Sequence, residues 1–196
     1  PEAKPIITPI RKSTIVAKNK ANKLLGKTSG KGIKKITNVV DQNAKANLPI
    51  EIKSTFLGAH AYPKELTKKE YLNLILNKMI PDFTNKKLVD YVDIFCENNY
   101  FSPEDTKILC KKASELGIAS KIHVNQFNSI GGVKVAVDCG ALSVDHLEVI
   151  NKSDINILKQ SKTIPVLLPG CSFFLGIEYA DAKTLLSNAI PFAIAS

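Results

Sequence analysis

The sequence predicts an α/β fold of consecutive β/α units, read as a partial (β/α)8 TIM-type barrel of about six units. Three observations carry this. Short apolar or β-branched runs recur at 49–60, 92–97, 120–127, 141–148, 163–169 and 191–196, with helical patterns between them. Strands separated by helices imply right-handed βαβ crossovers and a parallel sheet. The runs are nearly continuous in apolar character, as in Ile164-Pro165-Val166-Leu167-Leu168, which suits strands covered on both faces. Polar residues also close consecutive runs: His60, Glu97, His123 and His146. A doubly wound sheet shares the alternation. However, no Gly-x-Gly-x-x-Gly follows the first strand, and a barrel builds its site from such strand ends.

The elements are justified in turn. The first strand ends as Ser54-Thr55-Phe56-Leu57-Gly58-Ala59-His60, and the second is Val92–Glu97. The clearest helix runs from Ser102 to Leu116-Gly117: Ser102 is an N-cap, Pro103 fits the first turn, Glu104 and Asp105 face the positive helix end, and Gly117 closes it. Ile108, Leu109, Ala113 and Leu116 are placed on its buried face. After the strand at 120–127, Gly131-Gly132 precedes a helix, read either as free backbone N–H groups for an anion or as a plain tight turn. Asn151-Lys152-Ser153-Asp154 opens the helix after the strand at 141–148, and Tyr179–Asn188 forms the helix before the strand at 191–196.

The net charge of +9 resides in one segment. Residues 1–36 hold ten Lys or Arg and the single acid Glu2, whereas 37–196 hold 17 of each sign. A basic N-terminal segment, 1–36, expected to be poorly ordered, therefore precedes a neutral barrel domain, 37–196. The segment has no aromatic residue and no nucleic-acid motif, so a solvated stretch is favoured over an arm for RNA or a membrane surface. The four cysteines (Cys96, Cys110, Cys139, Cys171) form no CxxC pair and read as buried free thiols of a cytoplasmic protein rather than disulfides or a zinc cluster. No signal peptide or membrane span is read, and the opening Pro1 suggests a piece of a longer reading frame.

Three histidines are all this chain has, and each is delivered by the end of a strand-like run. Imidazole there suits a metal or acid/base site, because a strand holds it rigidly. One histidine cannot hold a catalytic metal, which normally needs three protein ligands and an open position. Candidate contributors are His123 and His146, with His60 or Glu97. Glu97 is read equally as half of a buried ion pair. Gln126, in the loop after His123, can hang over the same pocket.

Thr55-Phe56-Leu57-Gly58-Ala59-His60-Ala61, Val92-Asp93-Ile94-Phe95-Cys96-Glu97, Lys121-Ile122-His123, Ala141-Leu142-Ser143-Val144-Asp145-His146-Leu147-Glu148 and Val166-Leu167-Leu168-Pro169-Gly170 together resemble imidazolonepropionases of the metal-dependent amidohydrolase superfamily. The resemblance runs in order from about Gly32 to Ser196. It implies hydrolysis of 4-imidazolone-5-propanoate to N-formimidoyl-L-glutamate in histidine degradation, with one zinc or iron ion per complete site and a homodimer in the complete enzyme. By position it makes His123 a metal ligand, His146 the catalytic residue beside the activated water, and His60 a substrate contact. Gln126 takes a catalytic and substrate-binding place that many members fill with glutamate, although an amide cannot act as a base.

The departures from the pattern carry their own expectations. The family's His-x-His metal pair and its final metal-binding aspartate are not among the 196 residues. Gly26-Lys27-Thr28-Ser29-Gly30-Lys31-Gly32 falls a strand short of the family pattern, with Lys31 where a substrate-binding tyrosine is expected. Taken alone, the chain is therefore expected to bind metal weakly or not at all and not to turn over. The rival readings are an inactive fragment or pseudoenzyme, a basic-arm binding protein, and another barrel amidohydrolase such as a deaminase.

Overall fold

A computed structural model describes Thr14–Ile15 and residues 51–195. Among the described residues, seven strands form one sheet in sequential order: β1 (Thr14–Ile15), β2 (Lys53–Ala59), β3 (Tyr91–Cys96), β4 (Ala119–Val124), β5 (Ser143–His146), β6 (Ile164–Leu167) and β7 (Ala193–Ile194). Every neighbouring pair is parallel. Strand order equal to chain order is the winding of a β/α barrel; a doubly wound sheet reverses direction midway. The six expected strands are all present, each within a few residues of its predicted bounds. The readings of residues 1–36, apart from the short β1, and of Lys31 lie outside the described residues.

Helices cross between the strands: α1 (Lys68–Leu74), continued by a π-helical turn (Ile75–Met79) into α2 (Ile80–Asn85), then α3 (Pro103–Glu115), α4 (Gly132–Asp138), α5 (Lys152–Lys159), α6 (Pro169–Leu175) and α7 (Ala182–Ser187). The starts of α1, α3, α5 and α7 follow from side-chain capping. The Ser102 hydroxyl accepts from Asp105 N–H while the Asp105 carboxylate accepts from Ser102 N–H, and Asn151 and Asp154 repeat the arrangement. Thr67 and Glu70 do the same for α1. Two sequence expectations shift. The last helix begins at Ala182 rather than Tyr179, because Asp181 accepts from Thr184 N–H and sets the start there. Ile108 is half exposed, lying about 100° around α3 from the buried Leu109.

Register divides the sheet into two chemically different faces. Val92, Ile94, Cys96, Ile122, Val124 and Val144 point toward the helices and join the main hydrophobic core. Asp93, Phe95, Lys121, His123, Ser143 and Asp145 point the other way. The strands are thus covered on one face by helices and polar on the other, a contrast that the near-continuous apolar runs did not suggest. Cys96 and Cys110 are buried free thiols as expected, while Cys139 and Cys171 are only partly covered.

The two glycines at the start of α4 have structural roles. Gly131 adopts φ +94°, and a Cβ on Gly132 would lie 2.8 Å from Val124 Cγ1. The tight-turn reading of this pair accounts for both, and a seven-residue helix offers no anion site of its own. Gly132→Ala should destabilise the chain by about 1–3 kcal/mol through overpacking, measured by urea denaturation.

Candidate active site

The polar face of the sheet is where the histidines meet. His60 lies one residue past β2, His123 within β4 and His146 at the last position of β5. His60 and His123 have ring centroids 4.5 Å apart, and His123 and His146 5.1 Å. The three strand ends therefore converge on one row of imidazoles, as their shared placement in the sequence anticipated.

His146 reaches that row by a local distortion. Its register partner is Val124, whose side chain meets Gly132 on the helix-covered face, so a regular strand would aim His146 away from His123. Instead His146 has φ 92° and Leu147 φ 67°. Such left-handed conformations cost non-glycine residues on the order of 1–3 kcal/mol each, and here they turn the ring back into the pocket. Asn125, just past His123, adopts φ 54° as well.

A carboxylate organises the row. Asp93 Oδ1 lies 2.9 Å from His123 Nδ1 and 3.2 Å from His60 Nε2. Asp93 is 2% exposed, whereas the two histidine side chains remain partly open. Burial pushes the Asp93 carboxyl up, but the charge and hydrogen bond of His123, then those of His60, outweigh it and hold the group at about 2. Burial pulls His123 down, yet Asp93 and then Asp145 (4.0 Å away) raise it overall. Behind the row, Asp145 accepts from Ser143 Oγ at 2.7 Å and faces Lys121 Nζ at 3.5 Å.

His146 has its own partner. Its Nδ1 lies 3.3 Å from Glu148 Oε1, which also accepts from Ser172 Oγ at 2.7 Å. Burial raises the Glu148 carboxyl, but the bonds from His146 and Ser172 bring it below the usual range. Glu148 Oε2 is buried without a partner. With Nδ1 engaged, Nε2 is the nitrogen left to face a reacting group.

The remaining candidates have other partners. Glu97 is buried, and among the described residues it joins no ion pair or metal-ligand group; it accepts from the backbone N–H groups of Asn98, Phe127 and Asn128 and from Asn128 Nδ2, fixing the loop after β4. Gln126 is buried in that loop, with Nε2 directed at Cys171 Sγ, 3.6 Å away at the start of α6.

Sequence reasoning passed over Asp93, Asp145 and Glu148. The signal was present: an acid inside an apolar strand, as in Val92-Asp93-Ile94, carries a charge that burial penalises unless a partner sits beside it.

The stabilising pair has a pH signature. Asp93 is held below its ordinary 3.8, so its contribution exists above that pH and fades as the pH falls toward 2. His123 is raised above 6.5, so its contribution is complete below 6.5 and fades as the pH rises through its folded value. In the presence of chelator, thermal unfolding midpoints should show a gain centred between about pH 4 and 6.5 that Asp93→Asn removes.

The donor chemistry suits a divalent metal. His60, Asp93 and His123 each present a ligand atom, all within 4.8 Å of one another. Two imidazoles and a carboxylate make a donor set used by both catalytic zinc and non-haem iron(II), so donor type does not choose between them.

No family model matches the chain. Among curated proteins, the imidazolonepropionase of Christiangramia forsetii is 50% identical over 159 residues, 80% of this chain and 39% of that protein. Further relatives of the same name are 35–49% identical. The chain spans about two-fifths of the length of the curated relatives it matches. In fold it is similar to a guanine deaminase from C. acetobutylicum (TM-score 0.60, 17% identity, 83% of this chain and 42% of that one). An adenosine deaminase from Xanthomonas campestris with bound zinc is also similar (TM-score 0.57, 11% identity, 81% and 39%). Over the matched residues the chain belongs to the imidazolonepropionase family.

Proposed function

We propose that this chain supplies the His60–His123–His146 face of an active site that hydrolyses the ring amide of 4-imidazolone-5-propanoate, giving N-formimidoyl-L-glutamate. The carrying observation is the convergence of three strand-end histidines, each held by a buried carboxylate or lying next to one that is. The names of the sequence relatives support the substrate. A zinc or iron ion bound through His123 would supply Lewis acidity, which lowers the pKa of water and polarises the ring carbonyl.

The chain's own residues do the rest. Asp93 orients His123 from Nδ1, and burial keeps that geometry rigid. His146, fixed through Nδ1 by Glu148, takes the proton from the attacking water at Nε2 and returns it to the ring nitrogen as the C–N bond breaks. The water oxygen becomes part of the new carboxylate. His60, at the exposed end of the row, holds the ring oxygen as negative charge develops on it. Gln126 donates hydrogen bonds to the substrate without exchanging a proton. This reading implies a cytoplasmic catabolic enzyme acting as a homodimer.

The test is a chimera in which the aligned stretch of the Christiangramia forsetii enzyme is replaced by this chain's residues 51–195. Loss of imidazolone absorbance at a rate within about tenfold of the parent supports the reading. A folded chimera with no turnover contradicts it.

A further inference from the structure

The burial pattern of helix α6 is inverted. Its aromatic side chains face solvent, Phe173 at 78% and Phe174 at 87% exposure, while Ser172 is 1% exposed and is the helix's one buried residue. A serine contributes little apolar area, and burying its hydroxyl is unfavourable unless it is hydrogen-bonded. We propose that Ser172 is a positioning residue of the active site: through the Glu148 carboxylate it fixes the imidazole of His146 for proton transfer. The task given to His146 rests on the hydrolytic reading above; the contacts that hold its ring do not.

Those contacts are continuous. Ser172 Oγ lies 2.7 Å from Glu148 Oε1, and the same oxygen lies 3.3 Å from His146 Nδ1. A hydroxyl has one proton to give. The other acceptor near Ser172 Oγ is Leu168 O, 3.3 Å away and already accepting from the backbone N–H groups of Cys171 and Ser172. The proton therefore goes to the nearer, charged oxygen. Pro169 in the first turn of α6 and the bond from Ser172 N–H to Leu168 O hold the serine itself in place.

What Ser172 adds is a choice between two equivalent oxygens. The last torsion of a glutamate is soft, and either carboxylate oxygen can accept from an imidazole. The Glu148 side chain is 3% exposed, and its Oε2 has no partner among the described residues, so both anchoring bonds fall on Oε1. His146 and Glu148 flank Leu147 on a strained turn, and a hold from outside that turn keeps the pair fixed. Ser172 supplies it from a different element, 24 residues further on. The same turn of α6 reaches a second pocket residue, since Cys171 Sγ accepts from Gln126 Nε2 at 3.6 Å.

Two measurements on Ser172→Ala test the proposal. In the metal-free 196-residue chain, long-range 1H–15N spectra should show the two ring-nitrogen signals of His146 drawing toward each other, as one fixed tautomer gives way to a mixture. Those of His60 and His123 should stay nearly unmoved. In the active chimera, kcat should fall about 10–100-fold with KM little changed, the size typical of losing an orienting partner. Adding Ser172→Ala to Glu148→Gln should then cost no further turnover, because Ser172 acts through that carboxylate. A merely structural role would multiply the two losses and leave the His146 signals as they were. Either of those results in folded protein overturns the proposal. Should Ser172→Ala not fold, Ser172→Cys, close in volume and a weak donor, takes its place with the same expectations. An unsubstituted chimera without turnover sinks the hydrolytic reading alone, and the spectra of the full chain still judge Ser172.

Discussion

Asp93→Ala should cost the chain about 2–4 kcal/mol of unfolding free energy in urea melts at pH 6 and low metal. The carboxylate is buried and accepts from two imidazoles, so its removal breaks both bonds at once and leaves His123 with only the more distant Asp145, 4.0 Å away. Breaking a fully buried pair typically costs 3–5 kcal/mol, and the partial exposure of both histidines reduces that figure here. Asp93→Asn keeps an acceptor oxygen and should lose less. An alanine variant as stable as the parent would mean that Asp93 does not organise the cluster.

His146→Ala in the active chimera should cut kcat by ~10²–10⁴-fold, the usual worth of a positioned proton-transfer group, with KM changed far less. Glu148→Gln should produce a smaller loss and shift the pH–rate profile, because an amide neither holds His146 Nδ1 in the same way nor stabilises its charged form. A kcat within tenfold for His146→Ala would assign the proton to another group.

The fold was legible because the strand runs and several helix starts have local causes. Ser102 and Asn151 cap in the manner their positions suggest, and the alternation of runs implies parallel crossovers without tertiary information. The histidines were legible because the chain has only three of them and all close strand runs. Their partners were not. Asp93 and Asp145 lie inside apolar runs, and only the register that sets Phe95 beside His123, and His123 beside Asp145, shows that both carboxylates share the histidines' face. The aim of His146 was also hidden, because it depends on a left-handed turn at a residue type that seldom adopts one. Glu97 misled for the opposite reason: it ends a strand just as the histidines do, yet the next loop folds back and saturates it with backbone N–H groups.

The arrangement around Asp93 is the centre of this account, and the chain's three histidines make it directly measurable. Long-range 1H–15N spectra of the metal-free protein resolve each imidazole ring. Asp93→Asn should move the ring-nitrogen signals of His60 and His123 together while leaving those of His146, bound to Glu148, nearly unchanged. If the substitution left His60 and His123 unmoved in a folded chain, the shared carboxylate would not exist, and the site built on it would fall.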